Sequence, residues 1–492
     1  MTSPILLLVP ILFPLLGAAL LPLFHFESRN KRQLYVGTIV VLNTIFTYLL
    51  LCYGPSEGIT LIKLTQDYSI GLKIDGLSKV FAGLVAALWP FATLFAFEYM
   101  THEKRENYFF SFYTATFGIT VGIAFSANIA TLYLFYELLT LITLPLVMHS
   151  MNEKSIKAGI AYIAYSVGGA AMAFIGMVMI FKYGTAGNFV MGGILDLAKV
   201  GDQTNLLLLG YVFMFFGFGV KTAVFPFYKW LPMASVAPTP VTALLHAVAV
   251  VKAGAFAIMR VTYYCFGADF LRGTWAQYLV MTAALITILF GSSMAVKEQH
   301  IKRRLAYSTI SNLSYILFGI TLMTPAGLVG GLTHMIFHGV MKIALFFCVG
   351  AIMFKTHKEY VYEIEGFGKK MPFVFTIFTL AGIALVGVPP FTGFISKWNL
   401  AFAAVQTTEA LPAAGIIVLL ISALLTAIYL LSIAVRAFFP AKGFDETKLA
   451  HVEDPRWYMT VPLGVFAAAI VTLGIHSAPL VEFFSRIANG LQ

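Results

Sequence analysis

Residues 213–232 read "FMFFGFGVKTAVFPFYKWLP". The stretch is apolar enough to lie in a bilayer, yet it carries Lys221 in mid-run and prolines at 226 and 232. Proline inside a helix removes a hydrogen bond and clashes with the preceding turn. A broken helix at membrane depth persists only where it is buried in protein or lines a wet cavity. The stretch therefore predicts a helix interrupted beside a lysine, inside a bundle rather than against lipid. "GFGVKT" faintly echoes a phosphate-binding loop, but no glycine directly precedes Lys221 and no strand leads in, which excludes that reading.

The rest of the chain agrees. Of 492 residues, 59% are hydrophobic and 11% charged, where a soluble domain carries about 25% charge. Apolar runs of bilayer length fall at about 4–24, 33–52, 76–97, 108–126, 128–149, 158–181, 205–225, 239–265, 275–296, 305–323, 327–354, 372–402, 410–438 and 459–480. By the 20-residue rule they predict an all-α integral membrane protein of about fourteen spans. The runs at 327–354, 372–402 and 410–438 are long enough to be tilted or broken. The N-terminus has no basic segment before its apolar run, which fits a retained first span better than a cleaved signal. Cys52, Cys265 and Cys348 are far apart and form no CxxC pair, which argues against a metal cluster or a disulfide framework.

Charge sorts by loop. Loops after odd-numbered spans hold 20 of the 32 basic residues, and loops after even-numbered spans with the tail hold 6. By the positive-inside rule the odd loops face the cytoplasm and both termini face outward, as in a multi-pass protein of the cell (inner) membrane. The positive balance is thus a topology signal and no sign of nucleic-acid binding. No extramembrane stretch is long enough for a catalytic domain.

Six basic residues remain inside the spans. Lys79 and Arg260 lie within two turns of a span end and can snorkel. Lys221, Lys252, Lys342 and Lys397 lie deeper, and Glu137, in "LYLFYELLTLITLPL" (132–146), is the one deep carboxylate. Ionisable groups at such depth are expensive and usually mark an ion pathway. Lys397 follows a second proline break, "LVGVPPFTGFISKW", and two matched interruptions point to related halves with a pathway between them. His246 and Lys252 are six apart and share no face closely, though a water could link them. His334, His338 and Lys342 stand at i, i+4 and i+8 on one stripe. The pair HxxxH could hold zinc, but it lacks the glutamate of HExxH and the next group along is a cation. A relay of imidazoles and a desolvated lysine is the better reading.

Five stretches together resemble the antiporter-like subunits shared by respiratory complex I, Mrp-type cation/proton antiporters and membrane-bound energy-converting hydrogenases. They are "LYLFYELL", "GFGVKTAVFPFYKWLPMASVAPTPVTALLHAVAVVKAG", "HIKRRLAYSTISNLSYILFGI", "THMIFHGVMKIALFF" and "ALVGVPPFTGFISKW". The resemblance implies two inverted five-helix repeats, spans 4–8 (108–265) and 9–13 (275–438), with spans 7 and 12 broken. Residues 1–107 would carry spans 1–3, and 459–492 span 14 with the tail. It further implies a pair of Glu137 and Lys221, a bridge of His246 and Lys252, a relay of His334, His338 and Lys342, and Lys397 as terminal group. Asp75 and Lys79 match a family stretch without a clear role. Family members often carry an acid where this chain has Met233, and some carry glutamate where it has Lys397.

The implied activity is proton translocation within a multisubunit membrane complex, alongside other membrane subunits that include homologous antiporter-like ones. A proton would pass from Lys221 to Lys252, Lys342 and Lys397, driven electrostatically by those partners. No cluster-type cysteines, dinucleotide fingerprint or flavin loop occur, so no cofactor or metal is expected in this chain and any redox step belongs to other subunits. The alternative is a component of an Mrp-type Na⁺/H⁺ antiporter without redox chemistry. A sodium site is usually oxygen-rich, which one deep carboxylate supplies poorly.

Overall fold

The computed structural model describes residues 3–490 except 25, 66–67, 186, 442–443, 445–448 and 450–451. Lys442 and Lys448, counted among the basic loops, lie outside the described residues. Among the described residues the chain is helical apart from its loops and one hairpin, β1 (Ile59–Lys63) against β2 (Ser69–Leu72), antiparallel with Ile59 opposite Leu72.

The principal helices are α1 (Val9–Leu20), α2 (Arg29–Tyr53), α3 (Gly76–Tyr99), α4 (Glu106–Ala124), α5 (Ile129–Val147) and α6 (Glu153–Tyr183). They continue as α7 (Thr204–Gly219), α8 (Thr239–Ala247), α9 (Val250–Met259), α10 (Trp275–Lys297), α11 (Ile301–Thr321) and α12 (Pro325–Thr356). Last come α13 (Pro372–Val386), α14 (Thr392–Val405), α15 (Ala410–Phe438), α16 (Trp457–Ile475) and α17 (Ala478–Ala488). Among the described residues, ten helices are long and apolar enough to cross a membrane. Side-chain caps start several of them: Asp75 accepts from Ser78 N ahead of α3, Asn128 from Thr131 N ahead of α5, and Thr324 from Gly327 N ahead of α12. Each satisfies one of the four amides a helix start leaves unpaired.

The long runs resolve differently. Those at 327–354 and 410–438 are unbroken helices, α12 and α15. The run at 372–402 stops at Val386 and resumes at Thr392, leaving α13 and α14 at 15 and 14 residues. The run at 205–225 stops at Gly219, after 16 residues of α7. None of these three is long enough to cross a bilayer alone. The run at 239–265 reads as one helix in sequence, but it turns between α8 and α9, where the amides of Val248 and Ala249 both donate to the Leu244 carbonyl at 3.1 and 2.9 Å. The last run ends at Ile475, and α17 follows as a second helix where the sequence implies one.

α12 runs through the centre and packs on α3, α8, α11, α13, α14, α16 and α17. Its buried residues extend around the whole helix, as expected for one enclosed by others. The outer helices keep apolar residues exposed, such as Leu420 (66%) and Leu424 (65%) on α15, a surface suited to lipid or to partner chains.

Candidate functional site

Lys221 stands two residues past the end of α7, in the non-helical stretch that carries the prolines of "VFPFYKWLP". It is fully buried. The carbonyls freed by the break find partners: Thr222 Oγ1 donates to Gly219 O at 2.8 Å and Trp230 Nε1 donates to Val220 O at 2.7 Å. Backbone groups left over are therefore satisfied inside protein, as broken helices at depth require. The Lys221 ammonium donates to the Tyr136 carbonyl and lies 3.4 Å from the centre of the Tyr136 ring. The expected pairing of Lys221 with Glu137 takes a looser form. They are neighbours through Tyr136, but among the described residues no ion pair joins them, and Glu137 Oε1 is buried without a hydrogen-bond partner. Glu137 itself is half-buried.

Lys252 is the third residue of α9, and its Nζ is 2.6 Å from His338 Nδ1 on α12. With Lys252 protonated, its ammonium donates to Nδ1, and the proton of a neutral ring then sits on Nε2. His338 Nε2 is buried and has no partner. The ring of His334, one turn earlier, stacks on that of His338 with centroids 5.6 Å apart. His334 Nδ1 is 2.9 Å from Ser396 Oγ on α14, and its ring stacks on Tyr315 of α11 at 5.2 Å. Tyr315 also meets the Lys397 ammonium, 5.2 Å from its ring centre. Lys397 Nζ donates to the carbonyls of Leu385 and Val386 at 2.8 and 2.9 Å, the last two of α13.

The single stripe on α12 therefore reaches three helices. His334 meets α14, His338 meets α9, and Lys342 donates to Ser308 Oγ of α11 at 2.6 Å. Ser308 Oγ lies 2.7 Å from the Tyr429 hydroxyl. The sequence expects the order Lys252, Lys342, Lys397, linked through waters and histidines. The direct contacts run from Lys252 through His338 and His334 toward Ser396 and Lys397, and Lys342 branches aside to Ser308 and Tyr429. His246 is fully buried against Phe346 at 4.8 Å, and neither ring nitrogen has a partner. It does not touch Lys252; the turn between α8 and α9 separates them.

Some polar groups are not legible from sequence. Arg260 does not snorkel. It is 1% exposed, and its two terminal nitrogens hold both Asp75 oxygens at 2.5 and 2.7 Å. Lys302 and Arg304, loop charges by the sequence count, sit in the first turn of α11 and are buried. Lys302 donates to Ala237 O at 2.9 Å and Arg304 to Tyr429 O at 3.0 Å. Lys79 is exposed, and Met233 is 40% exposed beside Lys229 and Glu298.

Residues 126–437 match the family model "NADH:quinone oxidoreductase/Mrp antiporter, TM". The chain is 30% identical over 492 residues to the A/B polypeptide of a probable K(+)/H(+) antiporter of Rhizobium meliloti, covering 98% of this chain and 48% of that relative. It therefore spans about half the length of that relative. It is also 30% identical over 431 residues to the N polypeptide of the NADH-quinone oxidoreductase of Desulforudis audaxviator, covering 84% of each. In structure it is similar to a chain of the membrane-bound sulfane sulfur reductase, an archaeal respiratory membrane complex, with a TM-score of 0.85 at 22% identity over 99% of this chain and 98% of that one. It is similar as well to a chain of the Mrp complex from Dietzia sp. DQ12-45-1b, with a TM-score of 0.84 at 21% identity over 100% and 98%. A family model that spans well over half of the chain, together with a fold that superimposes end to end, establishes that this chain belongs to the NADH:quinone oxidoreductase/Mrp antiporter transmembrane family.

Proposed function

We propose that this chain is a proton-translocating, antiporter-like subunit of a multisubunit membrane complex, in which protons move between Glu137 and Lys397 through Lys221, Lys252, His338 and His334. The observation that carries the reading is the run of buried contacts from Lys252 through His338 and His334 to Ser396, which ends beside Lys397. Imidazole accepts a proton on one nitrogen and releases it from the other, so two stacked rings between two lysines form a relay. Lys342 and His246 flank it and set the local field. The chain spans the membrane as fourteen segments in two inverted repeats, 108–265 and 275–438, between 1–107 and 459–492, with both termini on the outer face; the 20 to 6 loop asymmetry supports that orientation.

Glu137 also bears on partners. An ionised carboxylate cannot face lipid at that depth without a penalty of several kcal/mol, roughly 3 on insertion scales. Glu137 is half-buried in the isolated chain, so a neighbouring membrane protein covers it in the assembly. That contact lets the neighbour act on the axis electrostatically. Glu137→Gln in the assembled complex, with proton uptake measured in proteoliposomes, tests the reading. Pumping at the wild-type rate would sink it.

Redox drive by other subunits is the first reading of the energy source. A second is an Mrp-type antiporter without redox chemistry, favoured by the likeness along the whole of this chain to the Rhizobium antiporter polypeptide and to the Dietzia Mrp chain. Sodium dependence of proton transport by the native complex separates the two.

A further inference from the structure

A vestibule of about 900 Å³ opens on the face opposite the basic loops, walled by the end of α2, the start of α3, Tyr263 and Tyr264 beyond α9, and residues 189–192. Its lining includes Asp75, Lys73, Lys79, Asp269 and Arg272. Beneath it lies Arg260, held by both Asp75 oxygens and by Ser78 Oγ at 3.0 Å. Three rings enclose the guanidinium, Phe189, Phe256 and Tyr264, at 4.9, 5.1 and 4.6 Å. Arg260 Nε remains buried and without a partner. The helix changes to π geometry over Arg260–Phe266, a rare form that gathers at functional sites. Lys252 stands eight residues earlier on the same helix, about 12 Å away at 1.5 Å per residue.

We propose that this vestibule is the aqueous port joining the proton axis to the face opposite the basic loops, with Asp75 as the carboxylate that takes the proton and Arg260 as the gate. This rests on the proton-axis reading above. Arginine keeps its charge under all conditions in a protein. A bare guanidinium between the vestibule and Lys252 repels an approaching cation, as arginines do in selective pores. Asp75 cancels that charge while the two are paired. When a proton from the axis side enters the Asp75 carboxylate, the pair loosens and Arg260 becomes the barrier. The same proton then leaves to vestibule water, the pair re-forms, and return toward Lys252 is blocked in the interval.

Cys52 lies in the vestibule wall and is exposed, whereas Cys265 and Cys348 are buried. The native complex in proteoliposomes is treated with a membrane-impermeant maleimide from each face in turn. The expected result is labelling of Cys52 from the face opposite the basic loops and a several-fold fall in proton transport. Cys52→Ser keeps transport and loses the sensitivity, and Met191→Cys in that background restores it. Asp75→Asn cuts transport at least tenfold, and Asp75→Glu recovers part of it. Should Asp75→Asn fail to assemble, the thiol block and Asp75→Glu decide. No labelling from that face, full labelling with unchanged transport, or Asp75→Asn at the wild-type rate overturns the port. Glu137→Gln is assayed alongside. If it blocks transport while the vestibule results are negative, the port alone falls; if it does not, the axis reading falls.

Discussion

Replacing His338 with alanine removes the acceptor that Lys252 Nζ reaches at 2.6 Å. Lys252 is fully buried, and no other acceptor lies within bonding reach of its ammonium among the described residues. A hydrogen bond to a charged group contributes about 1.5–3 kcal/mol. The protonated form of Lys252 is disfavoured by that amount, and at about 1.4 kcal/mol per decade its occupancy falls roughly 10- to 100-fold. Transport through it should fall at least tenfold. The variant also breaks the stack with His334, so acceptor and relay are lost together. His338→Gln separates them: a side-chain carbonyl can again accept from Lys252, but an amide cannot take a proton on one atom and release it from another. The expected pattern is low transport in both variants, with thermal stability of the complex restored only by glutamine. Dye-reported proton uptake in proteoliposomes and a melting curve in detergent measure the two quantities. Wild-type transport in His338→Ala, or full transport in His338→Gln, refutes the relay and leaves His338 as a plain acceptor.

Lys342 branches to Ser308, so Ser308→Ala should reduce transport less than His338→Ala, by a factor of a few in the same dye assay. An equal or larger loss would return Lys342 to the main path. A Cβ on Gly217 would lie 2.5 Å from Ala173 N and 2.6 Å from Gly169 O, both backbone atoms that cannot swing aside. Gly217→Ala should therefore destabilise the complex by about 1–3 kcal/mol, seen as a lower melting temperature, and an unchanged melt would contradict this packing of α7 on α6. Gly387 has φ +100° at the end of α13, and a Cβ there meets Lys397 Cδ at 3.0 Å. Gly387→Ala should cost about 1 kcal/mol or more and displace Lys397, with a fall in transport that Ala384→Gly does not share.

Much of the bundle is legible in the sequence because prolines announce their breaks. Pro226 and the pair Pro389–Pro390 fall in the non-helical stretches that follow α7 and α13. The turn between α8 and α9 has no such sign: "LLHAVAVVKAG" reads as continuous helix. Its two amides share one carbonyl at Leu244, a geometry that packing imposes and no local propensity encodes. The deep ionisable residues are legible for a similar reason, since a charge in an apolar run stands out whatever it touches. Their partners are not. Arg260 and Asp75 are 185 positions apart, and helical spacing relates only residues on one helix. Arg260 reads as a snorkelling residue because sequence tells depth along a span but not which neighbour waits there.

The partners also differ in kind, and this bears on how the axis holds a charge. Lys397 Nζ has two carbonyl acceptors at the end of α13, where the helix dipole favours a cation by a further 0.3–1 kcal/mol or so. Lys221 has the Tyr136 carbonyl with the ring of the same residue against it. A desolvated ammonium over an aromatic face gains about 2 kcal/mol or more. Lys252, between them, has one imidazole nitrogen. The two end lysines thus carry more stabilising contacts for a positive charge than the middle one does. In the proposed relay, a proton leaving Lys221 would pass through Lys252 and the two histidines as through a crest and come to rest at Lys397. Unlike a row of equivalent lysines, such an arrangement would be tipped by an outside charge placed near Glu137, at its Lys221 end, or near Asp75, which is held by Arg260 off its middle.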